Sequence, residues 1–151
     1  MILSRLIYRS QTSWDQLTNE VLLELAKTSA AANQERNLTG LLILSGETFL
    51  QVLEGPSHEV NALYAKLMKD SRHHDLVLIS YEQIASRCFE DWSMRVVDLD
   101  DLPKESRALF RSKYPEVEGS IEIPEDSVKA LSLLFDAQAL CQSETEIGDV
   151  E

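Results

Sequence analysis

Apolar residues recur along this chain with two periods, and the changes between them mark out its elements. Residues 2–9, ILSRLIYR, mix β-branched and aromatic side chains in a short run that predicts a first strand. From about Trp14 to Gln34, the residues Leu17, Val21, Leu22, Leu25 and Ala26 fall at helical spacing, with Asn37 and Gly40 bracketing the exit. Leu41–Leu44 and Thr48–Leu53 are apolar β runs separated by Ser45-Gly46-Glu47, a hairpin signal. Gly55-Pro56-Ser57 breaks the strand and Ser57 is placed to cap a second helix, whose Val60, Leu63, Tyr64, Leu67 and Met68 form a one-sided stripe. Asp75–Glu82 and Trp92–Leu99 read as further strands, the last alternating Trp92, Met94 and Val96 against Ser93, Arg95 and Val97.

The order through residue 99 is thus βαββαββ. Its first six elements make two split βαβ units, the ferredoxin-like α+β arrangement, with both helices on one face of a mostly antiparallel sheet. Past residue 100 the character changes. Asp101-Leu102-Pro103 opens a short helix ending near Tyr114-Pro115, and a polar, acidic connection follows. Pro124-Glu125-Asp126 then starts a helix over 124–141 with Leu131, Leu134, Phe135 and Gln138 on one face and Val128 leading in; the end, QSETEIGDVE, is acidic and expected to fray. The chain therefore divides into a core domain, 1–100, and a C-terminal helical extension, 101–151. The terminal helix is expected to cover the sheet face that the first two helices leave open, or else to pair with another copy.

Composition narrows the function classes. A 44% hydrophobic and 26% charged make-up over 151 residues suits a globular domain. No window approaches the roughly 20 apolar residues of a membrane span, and MILSRLIYRS lacks the apolar region of a signal peptide; a cytoplasmic protein with no membrane partner is expected. The net charge of −12 argues against nucleic acid as partner. That charge is uneven: residues 1–100 hold 9 basic and 14 acidic residues, residues 101–151 hold 5 and 12. Cys88 and Cys141 match no metal spacing and read as thiols. His73-His74 follow Arg72 at what reads as a helix exit, where a solvated terminus is the simpler role than metal ligation. No phosphate-cradling glycine loop, HExxH or CxxC is present.

The chemistry lies in polar residues at positions that call for apolar ones. In FLQVLEG (49–55), Gln51 shares a strand face with Phe49 and Leu53, and a buried amide needs partners. Strands one and three are central neighbours in a split βαβ sheet, so Tyr8 and Gln51 can face each other and satisfy one another. By itself that pair is a structural hydrogen bond as readily as a reaction centre. Asn33, likewise, is a helix cap or turn contact as readily as a binding group.

The segments RLIYRSQ (5–11), NLTGLLILSGETFLQVLEG (37–55), DSRHHD (70–75) and FEDWSM (89–94), taken together and in this order, resemble the BLUF family of blue-light sensors using FAD. The resemblance covers about residues 1–100 and makes that stretch the expected photosensory domain, with 101–151 as output or oligomerisation extension. It implies a non-enzymatic photoreceptor whose flavin (FAD, with FMN possible) lies between the two helices, beside Leu25, Ala26 and Ser29. It implies Tyr8 as electron and proton donor and Gln51 as the group that exchanges hydrogen bonds between Tyr8 and the flavin. Asn33, Arg72 and His73 match residues on the polar side of the ring, and Lys66 one towards the ribityl and phosphate. Trp92 and Met94 match a pair proposed to relay the signal. The implied output is a light-dependent contact with a protein partner, commonly through homo-oligomers. Two other readings stand beside it: a flavin-free ferredoxin-like interaction module, and an acylphosphatase-like hydrolase using Arg5 or Arg9 with Asn33.

Overall fold

The computed structural model describes residues 2–13 and 18–148. Its core is a five-stranded sheet of order β4-β1-β3-β2-β5, built from β1 (Leu3–Thr12), β2 (Thr39–Ser45), β3 (Thr48–Pro56), β4 (His73–Ile84) and β5 (Arg95–Asp98). All pairs are antiparallel except β2 with β5. Helices α1 (Asn19–Glu35) and α2 (Ser57–Leu67) cover one face, the ferredoxin-like arrangement expected from the pattern. The expected start of α1 at Trp14 and Leu17 lies outside the described residues. Within them, Thr18 caps the helix by accepting the Val21 N–H at 3.2 Å.

The far end of α1 is set by local chemistry. Asn37 sits in the left-handed region (φ 60°), which asparagine tolerates better than most residues. Leu38 N–H then bonds Asn33 C=O and Asn37 N–H bonds Gln34 C=O, the paired bonds of a Schellman turn. That turn fixes Asn33 in the last turn of the helix, facing the sheet.

Strand alternation sends two sets of side chains to opposite faces. On the α1/α2 side, Leu42, Leu44, Phe49 and Leu53 pack with Leu22 and Met94, while Leu6 and Tyr8 pack with Val60. On the other side, Ile7, Leu41, Ile43, Leu50 and Val52 meet α3 (Lys104–Lys113) and α4 (Ser127–Gly148). The C-terminal helices therefore cap the second face, as the uncovered sheet required.

Three details depart from the pattern. The buried stripe of α4 runs through Ala130, Leu133, Leu134, Ala137 and Cys141, whereas Phe135 is 39% exposed and Val128 75%. Small alanines let the helix approach the sheet closely, and a reading that seeks large apolar residues passes over them. The helix also runs from Ser127 through Gly148, beyond the expected 124–141, and residues 149–151 of the acidic end lie outside the described residues. Finally, the polar connection holds a small hairpin, β6 (Glu116–Val117) with β7 (Ser120–Ile121), turned by Glu118 and Gly119 at positive φ.

Candidate functional site

Tyr8 of β1 and Gln51 of β3 are direct partners across the antiparallel ladder. Both are almost wholly buried, at 2% and 6% exposure, and the Tyr8 hydroxyl donates to Gln51 Oε1. The other end of the amide has only a soft partner: Gln51 Nε2 points to Met94 Sδ at 3.7 Å. A thioether is a weak acceptor, so one donor-bearing end of a buried amide is held loosely.

This pair lies on the floor of a cleft between α1 and α2. Leu25 and Ser29 of α1, Leu42 and Phe49 of the sheet, and Leu67 of α2 form its walls. Asp70, Arg72 and His73 close one side. The Arg72 guanidinium grips the Asp70 carboxylate, with Nε 2.9 and 3.0 Å from its two oxygens. That bond, against opposition from burial, holds the Asp70 carboxyl below the usual carboxylate range. Burial pushes the Tyr8 phenol far above its ordinary value, with the nearby Tyr64 and Asp70 adding to it and Arg72 opposing. The phenol is neutral and protonated at physiological pH, with its proton directed at the amide.

His73 is no solvated helix terminus. It opens β4, paired with Thr12, and is 9% exposed. Nε2 lies 2.6 Å from the Leu67 carbonyl and Nδ1 2.8 Å from Ser10 Oγ. A carbonyl accepts only, so Nε2 carries a proton and donates to Leu67, and Nδ1 pairs with the Ser10 hydroxyl. The ring meets Tyr8 edge-on, centroids 6.1 Å apart.

Other expected residues fall outside the cleft. Asn33, on the same helical face as Ser29, donates Nδ2 to the main-chain carbonyl of Ser93 at 2.9 Å. Lys66 is exposed in the last turn of α2. Ala26 lines a different groove, beside β5. Trp92 and Met94 do not share a strand face: β5 begins only at Arg95, and the segment before it is irregular. Met94 packs against the α1/α2 side, Trp92 against the cluster under α4. Gly40 fixes this crossing. Its N–H bonds the Trp92 carbonyl at 3.1 Å, and a Cβ there would stand 2.1 Å from Val52 O and 3.3 Å from Met94 Cε. Leu42, Phe49, Leu67 and Asp70 line the cleft although none was singled out from the sequence. The first three are ordinary apolar positions within their elements, and the role of Asp70 depends on the loop that turns it back onto Arg72.

Arg5 and Arg9 project to the opposite sheet face from Asn33. Arg5 bonds Glu54 at 3.1 Å and Glu82 at 2.9 Å, and Arg9 donates to Ile123 C=O at 2.7 Å. The acylphosphatase-like pairing of arginine with Asn33 therefore has no geometric basis.

Fold and cleft define a ferredoxin-like domain with an oxidisable phenol buried beside a helix-lined ligand slot. The model of the BLUF family, sensors of blue-light using FAD, matches residues 3–95, and the chain belongs to that family. Similar proteins include the photoactivated adenylate cyclase subunit beta of Euglena gracilis, 30% identical over 66% of this chain and 12% of its own length. The blue light- and temperature-regulated antirepressor BluF of Escherichia coli (strain K12) is 31% identical over 65% of this chain and 24% of its own. The chain thus spans a quarter or less of these curated relatives. Among solved structures, BlrB, a BLUF protein in its dark state, superposes with a TM-score of 0.66 at 29% identity, covering 91% of this chain and 97% of that one. The family senses blue light with a bound flavin. Among the described residues, no helix is long and apolar enough to cross a membrane.

Proposed function

We propose that Tyr8 and Gln51 are the photochemical pair of this sensor and that α4 carries its output to a protein partner. The carrying observation is the chain of contacts Tyr8–Gln51–Met94, buried at the floor of the cleft. The cleft suits a flavin chemically: apolar walls for the ring, with an amide, a guanidinium and an imidazole along its polar side. Its volume of about 60 Å³ is well under the ~300–1,000 Å³ of typical small-molecule sites. A flavin ring would need Leu25, Phe49 and Leu67, which line the cleft, to stand further apart.

When bound and excited by blue light, the flavin supplies a strong one-electron oxidant. Tyr8 is the group placed to yield the electron, and its hydroxyl proton already lies on a hydrogen bond to Gln51 Oε1. Gln51 carries donor and acceptor on one rotatable group and loses little at Met94 when it turns. Arg72, fixed by Asp70, would face the polar edge, His73 lines that side with both ring nitrogens committed to Leu67 and Ser10, and Ser29 adds a hydroxyl to the α1 wall. Asn33 acts through the backbone, holding Ser93 between Trp92 and Met94. FAD, in place of FMN, is our reading from the family's description.

A change at Met94 has a short path outward. The following residues enter β5, where Arg95 stacks over Trp92 and bonds Glu144 of α4 at 2.9 Å. The preceding loop is tied to α4 by Gln138 donating to Cys88 C=O at 2.7 Å and by Phe89 stacked on Phe135. Two packings of this segment would bias how α4 docks. We read the output as contact with a protein partner, through a homo-oligomer and in the cytoplasm.

The test is direct. Purified protein should be yellow, its absorption should shift red under blue light, and the shift should reverse in darkness. Colourless protein that takes up neither added FAD nor FMN overturns the reading.

A further inference from the structure

β5 stands at the edge of the sheet and pairs with β2 alone, so its outer side offers main-chain N–H and C=O groups to a strand laid along it. A groove of about 360 Å³ follows that edge, between α1, β5 and α4. Its apolar lining comes from Leu22 and Leu23 of α1, Val96 and Val97 of β5, and Leu102 and Leu140. Leu23 is 62% exposed although its neighbour Leu22 is buried, so α1 presents a large apolar side chain to an open groove.

The charges around the groove favour one kind of occupant. Arg95 is engaged by Glu144. Asp98 and Asp101 form no ion pair among the described residues, and both line the groove. Burial raises the Asp98 carboxyl against the hydrogen bond that Asp98 Oδ1 accepts from the Asp100 N–H at 3.0 Å, and the charges of Asp100 and Asp101 add to the rise while Arg107 opposes it. A cation brought to this end would relieve like-charge repulsion, and the net charge of −12 steers basic segments towards the protein.

We propose that this groove docks an extended segment of a partner protein, bearing apolar and basic side chains, which adds to β5 as a sixth strand. The strand edge supplies main-chain pairing, the leucines and valines supply apolar contact, and Asp98 with Asp101 select basic residues. Because β5 continues directly from Met94, the groove is placed to be the light-controlled output. That use rests on the sensor reading above; the docking chemistry does not.

The probe is the acetylated, amidated hexapeptide of alternating lysine and valine, added to the full chain and followed by amide hydrogen exchange and NMR shifts. Protection and shifts are expected at residues 95–98. They should vanish when a central valine of the peptide is replaced by proline, or its lysines by glutamate. Leu23→Asp and Asp101→Lys should each weaken binding while leaving the urea midpoint unchanged. Binding that is indifferent to the proline, or that perturbs other surfaces and spares 95–98, overturns the proposal. Protection of 95–98 that rises with protein concentration without peptide also overturns it, assigning the edge to a second copy. Equal protection in darkness and blue light still establishes the docking site and counts only against its use as light output.

Discussion

Gln51 and Met94 meet through the weakest hydrogen bond in the buried site: the amide nitrogen stands 3.7 Å from a thioether sulfur, while the amide oxygen accepts the Tyr8 hydroxyl's hydrogen bond. A rotation of the amide therefore gives up little on one side. Replacing it removes the switching group altogether. Gln51→Leu should still bind flavin, because the cleft walls are untouched, but should show no red shift under blue light. It should also lose about 1–3 kcal/mol of stability, since the buried Tyr8 hydroxyl is left without an acceptor. Absorption spectra before and after illumination, with urea denaturation alongside, check both parts. A normal photocycle in this variant would exclude Gln51 as the switch.

Tyr8 gives the protein an alkaline sensitivity whose sign can be worked out. Its folded-state value lies well above the ordinary 10.0, chiefly through burial. Below pH 10 both folded and unfolded chains keep the proton, and the full stability is present. Above it the unfolded chain releases the proton while the folded chain retains it, so stability falls as pH rises. Tyr64 and Tyr114 are raised too and contribute in the same direction. The urea midpoint should therefore decline between pH 9 and 11, and decline less steeply in Tyr8→Phe. Equal slopes in the two proteins would show that Tyr8 titrates normally.

The largest stability loss is expected far from the cleft, at Glu54. This carboxylate has no exposed surface, pairs with Arg5, and accepts the N–H groups of Cys88 and Phe89 at 2.9 and 2.6 Å. Glu54→Ala leaves the Arg5 guanidinium with Glu82 alone and strands two main-chain donors, at a cost of about 3–5 kcal/mol. Glu54→Gln keeps an acceptor and should cost less. Denaturant unfolding ranks the two, and the reverse order would contradict the assigned contacts.

Gln138 tests the route to α4. Its amide donates to Cys88 C=O, and a leucine there keeps the apolar volume but removes the bond. Gln138→Leu should leave the light-induced spectral shift intact, since the residue lies on the far face of the sheet from Gln51. Hydrogen exchange should speed up at residues 88–92, and any light-dependent change of exchange in α4 should shrink. An unchanged light response in α4 would place the output path elsewhere.

Much of this was legible in the chain itself. Period-two and helical patterns determined β1 to β4, both sheet-covering helices and the need for a cover on the second face, because burial demands are local and periodic. The misplaced polarity of Gln51 was visible for the same reason, and the quoted motifs carried the family. Tertiary structure decided what depends on register, approach and side. Tyr8 meets Gln51 because β1 and β3, 43 residues apart at this pair, align in one particular register. Trp92 and Met94 separate onto opposite faces because strand pairing starts only at Arg95, where the parallel ladder with β2 begins, so alternation could not be extended back to them. His73 is buried, and α4 turns alanines inward, because neighbouring elements arrive there from distant sequence. A hydrophobicity pattern records that a residue must be covered; only the packed chain fixes by what.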